Sequence, residues 1–268
     1  SRQNNHRLGL ALIRKEWRPL LDELLGPDPA FPHINADARA LYAQRQFSQA
    51  LDAFPPACRH ERAALHVLET GGSEEKAVRA VDILQRRFWF TALQSSIFNS
   101  LLAERIQSGT LGALRAGDIA AKAENSAMFR VTADDENNPE LAGRLARFEV
   151  APTGPLWGAR MMRAEGPAGE AERRALHNAG LSEDDLLEAE RQLGDSMGGA
   201  RRAYRVPIRD SSVEGGVDEH GHFVQVAFSL PPGAFATVVL REIMKNPGTL
   251  WTDSASPAAA SAAEEAAE

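Results

Sequence analysis

The spacing of apolar residues changes along this chain, and that change sets its fold class. From Leu8 to Leu25 the residues Leu8, Leu12, Ile13, Trp17, Leu20, Leu21 and Leu24 recur at helical spacing until Gly26-Pro27 stops the run. In the last third, Val224, Val226, Phe228 and Leu230 alternate with Gln225, Ala227 and Ser229. A period near 3.6 buries one stripe of a helix, and a period of two buries one face of a strand. Helices early and a strand late predict an α+β protein.

The same reading fills in the organisation. One amphipathic helix is expected over Leu8–Leu25, and a second stretch, with an interruption left open, over Asp37–Phe54 ahead of Pro55-Pro56. Another helix is expected over Cys58–Glu69, and Ser73 followed by Glu74 and Glu75 is a start signal for a short one reaching Gln85. Arg86–Gln107 places Phe90, Leu93, Ile97, Leu101 and Leu102 on one side and Gln94, Ser95, Asn99 and Arg105 towards the other, as a long core helix does. Leu111–Pro167 changes to short strands among turns, around Phe129-Arg130-Val131 and Phe148-Glu149-Val150. Ser182 with Asp185 three residues on caps a helix to Leu193. Tyr204, Val206 and Ile208 alternate before a polar, glycine-rich loop, which suggests a hairpin with the strand at Val224–Leu230. Phe235–Lys245 returns to helical spacing, and the tail over 251–268 has no apolar face and is expected to be disordered.

Composition narrows the function classes. No apolar run approaches the roughly 20 residues a membrane-spanning helix needs, and the start lacks a signal-peptide pattern, so a cytoplasmic, monomeric protein without a membrane partner is expected. The chain starts Ser1-Arg2-Gln3-Asn4-Asn5 without an initiator methionine, as a segment from within a longer protein does; a processed terminus gives the same beginning. Cys58 is the single cysteine, which excludes an intrachain disulfide, a CxxC pair and a thiolate zinc cage. The net charge of -7 includes Asp253, Glu264, Glu265 and Glu268 near the end, so the rest carries about -3 and the overall acidity does not exclude nucleic acid.

Several familiar catalytic motifs are absent: no GxxxxGK[ST], GxGxxG or HExxH occurs. His220-Gly221-His222 sits in an expected loop without distant ligands, so no metal is assigned. Asp134-Asp135-Glu136 and Glu183-Asp184-Asp185 lack the apolar surroundings that raise a carboxyl pKa, and read as solvated surface. Arg201, Arg202, Arg205 and Arg209 form a basic strip free of acids until Asp210. If Arg202 alternates with Tyr204 along a strand, the strip offers guanidinium groups beside an aromatic, a surface for RNA backbone and an unstacked base; a solvated strand face stays open as the other reading.

Three segments in order resemble the TruD family of tRNA pseudouridine synthases: RRFWFTALQSSIFNSLLAERI (Arg86–Ile106) with Gly117-Asp118, FEVAPTGPLWG (Phe148–Gly158), and FSLPPGAFATVVLREI (Phe228–Ile243). The opening NNHRLGLALIRKEW is similar to the segment after the family's RFG motif, and Gly199–Tyr204 to its ARR stretch. The resemblance implies a largely helical insertion domain over 1–199 and, over 200–250, the closing strand and helix of the mixed sheet of the catalytic domain.

It also implies isomerisation of a D-arm uridine, position thirteen of tRNA, to pseudouridine without metal or organic cofactor. That chemistry breaks the N-glycosidic bond, turns the base and rejoins it through carbon, and it needs the uridine out of its stack. The family's catalytic Asp lies in a GxKD motif that this sequence does not contain, and its NxF element is likewise missing. No catalytic residue is therefore assigned. Phe235 matches the Phe of the LPxGxFAT motif, which implies contact with the base; its helical spacing with Val238, Val239 and Ile243 keeps a core role open. Within the basic strip, Arg201, Arg202 and Arg205 are the RNA-binding candidates. Two function classes remain, an enzyme part and a non-catalytic RNA-binding or interaction module derived from the family.

Overall fold

A computed structural model of the chain describes residues 2–245, which divide into two compact units between Arg205 and Val206. The fold is mixed α+β, with a largely helical region and two small antiparallel sheets. The expected tail over 251–268 lies outside the described residues.

The first unit opens with α1 (Asn5–Ile13), α2 (Trp17–Leu25), α3 (Ala36–Ala43), α4 (Phe47–Ala53), α5 (Arg59–Glu69), α6 (Glu74–Ala80) and α7 (Ile83–Gln107). The single helix expected over Leu8–Leu25 is two helices. Lys15 takes a left-handed backbone, φ 57°, which ends α1 because a helix needs φ near -63° throughout. α1 itself lies so close to α7 that a Cβ on Gly9 would come 2.3 Å from the Trp89 carbonyl oxygen. Arg45, at φ 60°, separates α3 from α4 in the same way. The helix expected to reach Gln85 stops at Ala80, since Val81 is extended and Asp82 caps α7 by accepting from the Leu84 amide at 2.7 Å.

The C-terminal end of α2 is held by two cations. The Leu24 carbonyl accepts from Arg2 and from the buried Arg39, each at 2.9 Å, and Arg39 also donates to the Gly26 carbonyl at 3.0 Å. A helix leaves its last carbonyls unpaired, and guanidinium groups satisfy them in favourable register with the dipole.

Buried apolar residues of α1, α2 and α5–α7 form the main core, and Leu93, Ile97 and Leu101 are 3%, 2% and 4% exposed, as the long-helix reading expected. After α7 the chain forms β1 (Ile119–Lys122), β2 (Met128–Arg130), α8 (Ala133–Glu136), α9 (Pro139–Ala146), β3 (Val150–Leu156), α10 (Gly166–Asn178), α11 (Glu183–Leu193) and β4 (Ala200–Ala203). The strands pair antiparallel in the order β2-β1-β3-β4, and Gly154 stands opposite Arg202 in the β3/β4 register. The helix at α10 falls in a segment where no element was expected. At α11 the expected cap is present: Ser182 Oγ accepts from the Asp185 amide at 3.3 Å, and the Ser182 amide donates to the Asp185 carboxylate at 2.7 Å.

The second unit contains β5 (Arg209–Asp218), β6 (Gly221–Ser229) and α12 (Ala236–Met244). Its hairpin corrects the expected pairing. The partner of β6 is not Tyr204–Ile208 but the stretch read as a polar loop, with Val213 opposite Val226 and Asp218 opposite Gly221. Gly215-Gly216 looked like a turn because glycine weakens strands, but a Cβ on Gly216 would fall 2.5 Å from the Phe223 ring, so the glycine gives the ring room to lie across the strand.

Candidate nucleic-acid interface

The basic strip lies on β4 and just after it, and strand alternation splits it between inside and outside. Arg201 points inward and is buried. Its Nη1 and Nη2 donate to the two Glu172 carboxylate oxygens at 2.8 and 2.7 Å, its Nε to Thr153 Oγ1 at 3.1 Å and its Nη2 also to the Thr153 carbonyl at 2.7 Å. Thr153 Oγ1 in turn donates to the Ile119 carbonyl at 2.7 Å, so the guanidinium ties α10, β3 and β1 together. With Nη1 also donating to the Met162 carbonyl at 3.4 Å, all five N–H donors of Arg201 are engaged and none is left for a phosphate.

Arg202 points the other way. It is half-buried, with its guanidinium 5.3 Å from the centroid of the Phe98 ring, and desolvation pushes its pKa down from the usual arginine range. Among the described residues its side chain has no hydrogen-bonded or ion-paired partner. Tyr204, two residues on, stacks on the same Phe98 at 5.2 Å and 21°, so Arg202 and Tyr204 meet one aromatic platform. Tyr204 lies over Gly154, where a Cβ would sit 2.6 Å from its ring, which is why β3 carries glycine opposite Arg202. Burial pushes the Tyr204 hydroxyl up to about 12.

On the far side of Tyr204, the Arg105 guanidinium is 4.8 Å from its ring centroid and pairs with the buried Asp118 carboxylate. Asp118 also accepts from the Arg115 amide at 2.9 Å. The two buried carboxylates of this region, Asp118 and Glu172, are thus both tied to arginines inside the protein. Arg205 is half-buried, 4.5 Å over the Phe148 ring and bonded to the Leu145 carbonyl, so it fastens the end of the strand to the turn after α9. Phe98 and Arg105 were not singled out by sequence; the available signal was their spacing of seven on α7, which puts them on one helix face.

The remaining candidates belong to other elements. Asp135 closes the capping box of α8, where hydrogen bonds from the Thr132 backbone and side chain hold its carboxyl below the usual range. His220 and His222 flank the β5/β6 turn, and among the described residues no group of three or more His, Cys, Asp or Glu is placed to hold a metal. Phe235 immediately precedes α12 and is 64% exposed among the described residues of the second unit. No described helix is long and apolar enough to cross a membrane.

Comparison with known proteins supplies the family. Residues 1–243 match the family described as tRNA pseudouridine synthase D (TruD). The chain is 36% identical over 243 residues to the tRNA pseudouridine synthase D of Syntrophotalea carbinolica and 37% identical over 245 residues to that of Geotalea daltonii. These matches take in 90% and 91% of this chain but 58% of each relative, so the chain spans less than two thirds of their length. A crystal structure of a Methanosarcina mazei protein designated tRNA pseudouridine synthase D superposes with a TM-score of 0.75 at 27% identity, covering 91% of this chain and 58% of that one. With the family matched over residues 1–243 and its fold shared by a solved structure, the chain belongs to the TruD family.

Proposed function

We propose that this chain is an RNA-binding module of the TruD family that does not by itself convert uridine. The observation carrying the proposal is the family match over residues 1–243, which spans 58% of the matched relatives while the GxKD motif is missing from the sequence. Acid-base or nucleophilic work on a glycosidic bond needs a positioned, accessible carboxylate. Asp118 and Glu172, the buried carboxylates beside the basic strip, have their oxygens occupied, those of Asp118 by the Arg105 side chain and the Arg115 amide and those of Glu172 by Arg201. The partner in this reading is tRNA, and no metal or organic cofactor enters it.

The finer assignments belong to the same proposal. Residues 1–199 are the insertion domain and 200–250 a segment of the catalytic domain; because β4 pairs with β3, that boundary falls inside a sheet. Isomerisation of the D-arm uridine at position thirteen is the reading for an assembly that also contains the remaining length of the family, and the exposed ring of Phe235 supports it as a surface available to a flipped base. The test is a tritium-release or mass-shift assay of tRNA with the purified chain: no conversion is expected, and turnover above background overturns the proposal.

A further inference from the structure

Of the four arginines of the strip, Arg209 is exposed on β5 in the second unit, and the three of the first unit are in three different states, with Arg202 alone among those three lacking any hydrogen-bond acceptor among the described residues. Arg201 is spent on Glu172 and Thr153, and Arg205 on the Leu145 carbonyl and the Phe148 ring. Arg202 has neither acceptor nor carboxylate among the described residues, yet it is half-buried against Phe98. We infer that Arg202 is the RNA-phosphate contact of this face and that Phe98 is the residue that positions it. The inference rests on the RNA-binding reading and narrows it from a strip to one contact.

Chemistry favours that division. A guanidinium lying over a ring is attracted through its face, while its N–H donors stay in its own plane, free for a bidentate oxyanion. Phe98 is well placed to hold it, being buried and itself fixed by the stacked Tyr204. The linked contacts run from Arg202 to Phe98, to Tyr204, to Arg105, and they end differently. At the Arg105 end the cation is neutralised by Asp118. At the Arg202 end it is partly stripped of water with no anion supplied, which costs free energy until an outside anion pairs with it. The depressed pKa of Arg202, whose only cause is burial, agrees with that picture. A tRNA phosphate supplies the missing charge in the bidentate form that arginine prefers.

The test is the salt dependence of tRNA binding by the whole chain, measured with melting temperature for each variant. Each phosphate contact adds roughly 0.7–0.9 to the slope of log affinity against log salt. Arg202→Ala should reduce the slope by about that amount, so that between about 50 and 200 mM salt its affinity falls roughly 2.6- to 3.5-fold less than the parent's. Phe98→Leu should give the same reduction, Phe98→Tyr the parental slope, and the double variant Arg202→Ala with Phe98→Leu no further reduction. A merely structural Phe98 would lower the melting temperature and leave the slope alone, which overturns its positioning role. A parental slope in folded Arg202→Ala overturns the contact while tRNA binding stands. Absence of tRNA binding by the parent overturns both.

Discussion

Arg201 and Glu172 form a two-pronged pair inside the protein, with Nη1–Oε2 at 2.8 Å and Nη2–Oε1 at 2.7 Å and both side chains almost wholly out of solvent. Removing one partner of such a pair leaves a buried charge without compensation, which typically costs about 3–5 kcal/mol. Glu172→Ala should therefore lower the melting temperature by about 6–20 °C, taking roughly 2–4 °C per kcal/mol for a unit of this size. A melting temperature equal to the parent's would show that water reaches the pair.

The two tyrosines of the chain should make it sensitive to alkali. Burial raises Tyr204 to about 12, and burial with the hydrogen bond to Asp22 raises Tyr42. The folded state thus holds these protons more tightly than the unfolded chain, whose tyrosines titrate near about 10. The stability linked to Tyr204 is complete below about pH 10 and is lost as pH rises towards 12, by about 2–3 kcal/mol. Phenolate absorbance should appear together with unfolding, and Tyr204→Phe should delay alkaline unfolding. Full ionisation near pH 10 in a protein that stays folded would contradict the burial of both rings.

On α7, Ile97→Ala should destabilise by about 2–5 kcal/mol, a large-to-small change at a site 2% exposed. Gly9→Ala should cost about 1–3 kcal/mol, because its Cβ would meet the Trp89 carbonyl and push α1 off α7. Chemical denaturation reads both. A neutral Gly9→Ala would mean that the two helices have room to separate.

Phe235→Leu should leave the melting temperature nearly unchanged, within about 0.5 kcal/mol, because the ring is exposed. If the ring stacks on a base, binding of a uridine-containing single strand should weaken by about 1–3 kcal/mol. Unchanged binding with a lowered melting temperature would make Phe235 a packing residue.

Much of the fold was legible because burial leaves a period. The face of α7 carrying Leu93, Ile97 and Leu101 and the alternation of β6 could be read directly. The break at Lys15 could not, since Arg14-Lys15-Glu16 contains neither glycine nor proline and suits a helix locally. β5 was hidden because Gly215-Gly216 and its acidic neighbours resemble a loop until Phe223 is seen across them. At the interface, the arginines were legible as charge but not as geometry. Which of them is neutralised depends on Glu172, far along the chain on α10, and on Phe98 on α7, and neither distance leaves a local pattern.

The most direct test of the central claim is an equilibrium titration of unmodified tRNA with this chain across a range of salt. The account predicts saturable binding whose log affinity falls linearly with log salt, by about 0.7–0.9 for each phosphate contacted. Binding that is absent, or that does not change with salt, would contradict it.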